Sequence, residues 1–156
     1  AFRLNMANIA TPKPLALVEE RYGPLRGRAY FVSEYVEAPD IAQFFAQTAD
    51  TEIRQQVALD VASLFYRLYL LGISHGDCKA SNIKIKDIKP LLLDLDAMQA
   101  NAWNFRQKHV KDLKRFMRNW QDNAELKALF KQAFSITYDE IDDPWIPSIL
   151  MRANIT

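Results

Sequence analysis

Asp77, Lys79, Asn82 and Asp94 have the types and spacing that phosphoryl transfer from a metal-bound nucleotide requires. The first three sit in the run His75-Gly76-Asp77-Cys78-Lys79-Ala80-Ser81-Asn82, and Asp94 closes the apolar run Leu91-Leu92-Leu93, twelve positions after Asn82. In-line displacement at phosphorus asks for little covalent work from a protein. It needs an acceptor for the attacking hydroxyl's proton, oxygen ligands for magnesium and a cation on the moving phosphate. Asp77 can orient a hydroxyl and take its proton, Asn82 and Asp94 can hold Mg2+, and Lys79 can offset charge on the γ-phosphate of ATP. One carboxylate and one amide suffice, because magnesium keeps several of its waters.

The intervening residues supply the geometry. Asn82-Ile83-Lys84-Ile85-Lys86 alternates with period two, Asp87-Ile88-Lys89-Pro90 reads as a turn and Leu91-Leu92-Leu93 as a short buried strand. A hairpin of this form returns Asn82 and Asp94 to the same end. Upstream, Val57, Val61, Leu64, Leu68 and Leu71 recur at helical spacing over Thr51–Leu71, with Gly72 as the stop. This core helix delivers the chain into His75, and its aromatics Phe65, Tyr66 and Tyr69 are packing residues.

His75-Gly76-Asp77 with Lys79 and Asn82 resembles the catalytic loop of the protein-kinase-like superfamily, H-R-D-x-K-x-x-N in protein kinases, and Asp94 resembles the metal-binding acid of their D-F-G. Two departures are informative. Gly76 stands where many protein kinases carry an Arg that reads a phosphorylated activation loop, and Leu95-Asp96 replaces Phe-Gly. H-G-D followed by L-D-x-D is closer to aminoglycoside and choline kinases and to the bacterial lipopolysaccharide core kinases of heptose or Kdo. Lys111-Asp112-Leu113 among basic residues points to the last of these. The resemblance implies an α+β fold, mostly a helical kinase-like C-lobe with two small β-hairpins and most of the N-lobe missing. It implies that residues 1–36 are a remnant of that N-lobe and 37–156 the helical lobe. It also makes His75 a packing residue that orients the loop, and Asp112 the acid that ties the loop down.

Leu15–Val18 and Ala29–Val32 read as a second hairpin around Tyr22–Gly27, and Asp40 as the N-cap of a short helix Ile41–Gln47. By resemblance, backbone groups of Glu34 and Val36 meet the adenine edge and Asp40 lies near the ribose, although an ordinary cap explains Asp40 equally well. Helical patterns follow over Asn104–Trp120 and Ala124–Phe134, and the tail Asp142–Pro147 reads as irregular. Lys108, His109, Lys111, Lys114, Arg115 and Arg118 make the first of these helices basic. Such a helix can meet an anionic membrane or a phosphorylated glycolipid, but is more often a solvated surface. Lys84, Lys86 and Lys89 read as a solvated face.

Twenty basic against nineteen acidic residues in 156 leave the chain nearly neutral, which speaks against a nucleic-acid partner. Its one cysteine, Cys78, excludes an internal disulfide and reads as a buried small residue in a reducing cytoplasm. No stretch approaches the roughly 20 apolar residues of a transmembrane helix. The start, Ala1-Phe2-Arg3-Leu4-Asn5, reads as the middle of a longer chain. The strand-borne Lys, its Glu partner and the Gly-rich loop that kinases place over the phosphates are not recognisable here. The expectation is therefore a cytoplasmic kinase of a small-molecule or glycolipid sugar hydroxyl, peripheral at most to the inner membrane, of which this chain alone is nearly inactive. A pseudokinase or interaction module is the alternative. A lobe lacking its partner strands would also expose sheet edge, which favours self-association.

Overall fold

A computed structural model describes residue 4 and residues 6–100, 103–140 and 142–156. Residues 1–3 and 5, on which the reading of a truncated start rests, lie outside these. The fold is α+β and mostly helical, as the resemblance implies. Strands β1 (Pro14–Tyr22) and β2 (Leu25–Ser33) form an antiparallel hairpin, with Leu17 opposite Phe31. Its apolar side chains stay outside the core: Leu15, Leu17, Leu25 and Phe31 are all more than half exposed.

The segment after β2 is held by backbone contacts. Glu34 donates its N–H to the Lys13 carbonyl (2.9 Å), and Ile85 donates to the Pro39 carbonyl (3.0 Å). Helix α1 (Ile41–Gln47) starts with a capping box: the Asp40 carboxylate accepts from the Gln43 N–H (2.9 Å), and the Gln43 side chain accepts from the Asp40 N–H (3.1 Å). Helix α2 (Thr51–Leu70) is capped by Asp50, whose carboxylate accepts from the N–H groups of Glu52 and Ile53. Its Val57, Val61, Leu64, Phe65 and Leu68 are buried, and Gly72, at φ +63°, provides the left-handed residue that ends it.

Beyond α2 come the short strand β3 (Ile73–Ser74), a 3-10 turn at Ala80–Asn82, and the hairpin of β4 (Ile83–Lys86) and β5 (Lys89–Leu92). The turn is tighter than the sequence implies. Asp87 and Ile88 alone make it, at φ +50° and +64°, and Pro90 lies inside β5 opposite Ile85. Positive φ at both central residues is the twist-matched two-residue solution. Lys84 also departs from a solvated face: its ammonium donates to the Ala38 carbonyl (2.7 Å) and anchors the segment before α1. Lys89 pairs with Asp60 of α2 (2.8 Å).

Strand β6 (Gln99–Ala100) pairs with β3, and helices α3 (Phe105–Arg118), α4 (Ala124–Asp139) and α5 (Ile146–Arg152) complete the described fold. Helix α4 runs past Phe134 because Tyr138 also faces inward and is fully buried. The tail is not irregular throughout: Pro147, which needs no N–H partner in a first turn, opens α5, and Ile146, Ile149 and Leu150 are buried. An aromatic core joins α1 to α4. Phe116 lies 5.2 Å from Phe65 and 4.9 Å from Phe130, while Phe45 and Trp120 flank Phe130 at 5.3 and 5.0 Å. His109 belongs to this core rather than to the basic face of α3. It is buried, hydrogen-bonded to the Tyr138 hydroxyl (2.8 Å), and burial lowers its pKa to about 3.

Candidate active site

The β4–β5 hairpin brings Asn82 and Asp94 together. Leu93 donates its N–H to the Asn82 carbonyl (2.8 Å), which closes the ladder one residue before Asp94. The Asn82 side-chain amide then donates to the Asp77 carbonyl (2.9 Å), to Asp77 Oδ2 (3.2 Å) and to Asp94 Oδ2 (3.4 Å). Two carboxylates thus converge on one buried amide. Asp94 holds φ +53°, a left-handed backbone that short polar residues tolerate better than others, and strain of this kind concentrates at functional sites.

The two acids differ in electrostatics. Asp77 is approached by Lys79 Nζ (3.1 Å, Oδ2) and by the guanidinium of Arg115 on Oδ1. Partial burial pushes its carboxyl up, but the Lys79 hydrogen bond, the Arg115 and Lys79 charges and the Asn82 amide outweigh this, so its pKa lies below the ordinary value. Asp94 makes no ion pair among the described residues. An exposed carboxylate without a cation, beside an amide, is the donor set that magnesium takes with its waters. The chemistry of Asp94 and Asn82 therefore fits a magnesium ion, whereas the Asp77 carboxylate is already paired with Lys79 and Arg115.

His75 cross-braces the loop. Its Nε2–H donates to the Leu93 carbonyl (3.0 Å) and its Nδ1 accepts from the Asp77 N–H (3.3 Å). These two bonds use both ring nitrogens, so the ring positions Asp77 and Asp94 against each other. Asp112, 3% exposed, accepts from Ser74 Oγ (2.8 Å), His75 N–H (2.8 Å) and Gly76 N–H (2.9 Å). Gly76 is at φ +85°, and a Cβ there would come within 2.8 Å of the Ala97 carbonyl oxygen. The segment after Asp94 crosses the loop where the side chain of an Arg would have to begin. Cys78 is fully buried, and burial raises its thiol pKa well above the ordinary value, which suits packing rather than reactivity.

A family model described as "Lipopolysaccharide kinase (Kdo/WaaP) family" matches residues 2–138. The chain belongs to that family. A curated relative, the "3-deoxy-D-manno-octulosonic acid kinase" of Mannheimia succiniciproducens, is 30% identical over 138 residues, which cover 77% of this chain and 57% of the relative. This Kdo/WaaP family chain thus spans a little over half the length of that relative.

Two residues of the site are not singled out by the motifs. Arg115 reaches Asp77, and Asn119 holds the loop from behind: its Oδ1 accepts from the Ala80 N–H (3.2 Å) and its Nδ2 donates to the carbonyls of Phe116 (2.8 Å) and Cys78 (3.5 Å). With Asp112 they lie at i, i+3 and i+7 on one face of α3 and just past its end. That spacing is the signal the sequence carried. Beside Asp94 a cavity of ≈ 380 Å³ lies between Phe31 and Ser33 of β2, Pro12 and Leu93–Asp96. A second cleft, of ≈ 460 Å³, lies next to Gly76 and Arg115. Glu34, Val36 and Asp40 are not part of the Asp77 cluster. Val36 is buried, the Glu34 N–H is taken by Lys13, and one Asp40 oxygen is spent on the cap.

Proposed function

We propose that the full-length protein transfers the γ-phosphate of ATP to a sugar hydroxyl of the lipopolysaccharide core, and that this chain carries its hinge and helical lobe. The observation that carries this is the convergence of Asp77 and Asp94 on the Asn82 amide, with cations on Asp77 but not on Asp94 among the described residues. Asp77, held ionised, orients the acceptor hydroxyl and takes its proton. Asn82 and Asp94 hold Mg2+, which when bound offsets the charge of the β- and γ-phosphates. Lys79, half-exposed beside Asp77, supports the moving phosphate. His75 and Asp112 keep the loop in place.

The cavity beside Asp94 is the nucleotide side. Glu34 follows Ser33, which lines that cavity; by the family likeness its carbonyl and the Val36 N–H serve the adenine edge, and the second oxygen of Asp40 serves the ribose. The exposed apolar residues of the β1–β2 hairpin support further strands over it in the whole protein, which would carry the phosphate clamp. The same exposure gives this chain by itself a tendency to self-associate. No helix among the described residues is long and apolar enough to cross a membrane. Work at the cytoplasmic face of the inner membrane, where ATP and a growing glycolipid meet, fits that observation.

The test is transfer of label from γ-labelled ATP and Mg2+ to a core-sugar acceptor by the full-length protein. The proposal expects label in the sugar. Tight nucleotide binding with no transfer to any sugar or small-molecule acceptor would favour the interaction-module alternative, and transfer only to an aminoglycoside or choline would move the protein to another branch.

A further inference from the structure

Helix α3 carries four cations at a spacing that sets them in one stripe: Lys108, Lys111, Arg115 and Arg118, at steps of three, four and three residues. The stripe lines a cleft of ≈ 460 Å³ whose other wall includes Gly76 and Gln99. Like charges one turn apart repel, so a stripe gathered into a concavity works against helix stability unless something neutralises it. Within the protein little does. Lys108 donates to the neutral Gln99 Oε1, and Lys111 and Arg118 make no ion pair among the described residues. Asp112 borders the cleft, but its two oxygens are taken by Ser74, His75 and Gly76.

Arg115 gives the cleft its direction. It lines the cavity and also pairs with Asp77, so the positive wall runs up to the carboxylate that faces the acceptor hydroxyl. A cavity of this size holds one sugar residue.

Resting on the proposed function, we propose that this cleft is an oxyanion subsite that holds a carboxylate or phosphate of the acceptor sugar while a hydroxyl of the same molecule lies at Asp77. Arg118 offers a fork for paired hydrogen bonds to either group, and Lys111 adds a point charge. The subsite selects acidic sugars over neutral ones, because a neutral sugar leaves the stripe uncompensated. A flat membrane surface would meet Lys114, which does not line the cleft, but would not enter the cavity.

The experiment uses the full-length protein, Lys111→Ala/Arg118→Ala and the charge-keeping Lys111→Arg/Arg118→Lys. Acceptors are a 3-deoxy-D-manno-octulosonic acid glycoside, its carboxyl methyl ester, and a phosphorylated form of each. Both transfer kinetics and calorimetric binding without ATP are measured. The double alanine variant is expected to raise acceptor KM and weaken acceptor binding by about 10- to 100-fold, with KM for ATP as in the wild type, and the charge-keeping variant to recover most of the loss. If esterification reproduces the defect in the wild type, the anion is the carboxylate; if removing phosphate does, it is the phosphate. Acceptor binding lost in the variant but no transfer by any protein would leave the subsite standing and remove the kinase proposal. Equal binding and KM in wild type and variant, no binding of any acidic acceptor by the wild type, or a loss confined to binding of anionic lipid vesicles would each overturn the subsite.

Discussion

Arg115 pairs with Asp77 from one helical turn beyond Asp112, so a single helix both fixes the backbone of the His75–Asn82 loop and helps hold its acid ionised. Lys79 approaches the other oxygen of the same carboxylate. Together they keep Asp77 ionised, the state its proposed role of orienting a hydroxyl requires.

Removing either cation should therefore act through pH. Arg115→Ala or Lys79→Ala lets the carboxyl pKa rise towards its ordinary value, and the acid limb of the kcat profile moves to higher pH. The sign is fixed, because the proposed role needs the deprotonated form and the cations hold the pKa down. A pH–rate profile with an unmoved acid limb in both variants would show that Asp77 does not govern it.

Asp112→Asn should cost both stability and rate. One accepting oxygen cannot serve Ser74 Oγ and the N–H groups of His75 and Gly76, and an unpaired buried donor is costly. Chemical denaturation should show a loss of roughly 2–5 kcal/mol, with kcat falling more than KM for ATP.

Gly76→Ala tests the crossing of the loop by the segment after Asp94. The new Cβ meets the Ala97 carbonyl and the backbone must keep φ +85°, so a loss of about 1–3 kcal/mol is expected in denaturation. An Arg here, as in protein kinases, should be worse.

Much of this was legible in the sequence because it depends on local spacing. The alternation after Asn82 and the apolar run before Asp94 implied a hairpin, and the ladder closes at Asn82 and Leu93. Asp112 was legible only through the family likeness. Arg115 was not, since on a basic helix one Arg looks like the next until the helix phase relative to the loop is known. The same phase hid His109, which counts as basic by type yet lies in line with Leu113 and Phe116 on the buried side. Pro90 was read as a turn residue because proline lacks a donor, but an edge strand needs none at that position.

Buried His109 makes an acid-stability prediction. Its folded pKa of about 3 lies below the unfolded value, so the unfolded chain binds more protons between about pH 6.5 and 3. Its contribution is whole above pH 6.5 and is lost as pH falls towards 3. At pH 4.5 the loss is roughly 2–3 kcal/mol. Stability measured from pH 7 to pH 4.5 should fall less steeply in His109→Gln than in the wild type.

The most direct measurement separates metal from acceptor roles in the full-length protein: MgATP binding and label transfer in Asp77→Asn and Asp94→Asn side by side. Asp77→Asn should bind MgATP as the wild type does but lose transfer by at least about 100-fold, while Asp94→Asn should lose magnesium-dependent nucleotide binding as well. Full transfer by Asp77→Asn, or magnesium dependence unchanged in Asp94→Asn, would contradict these roles.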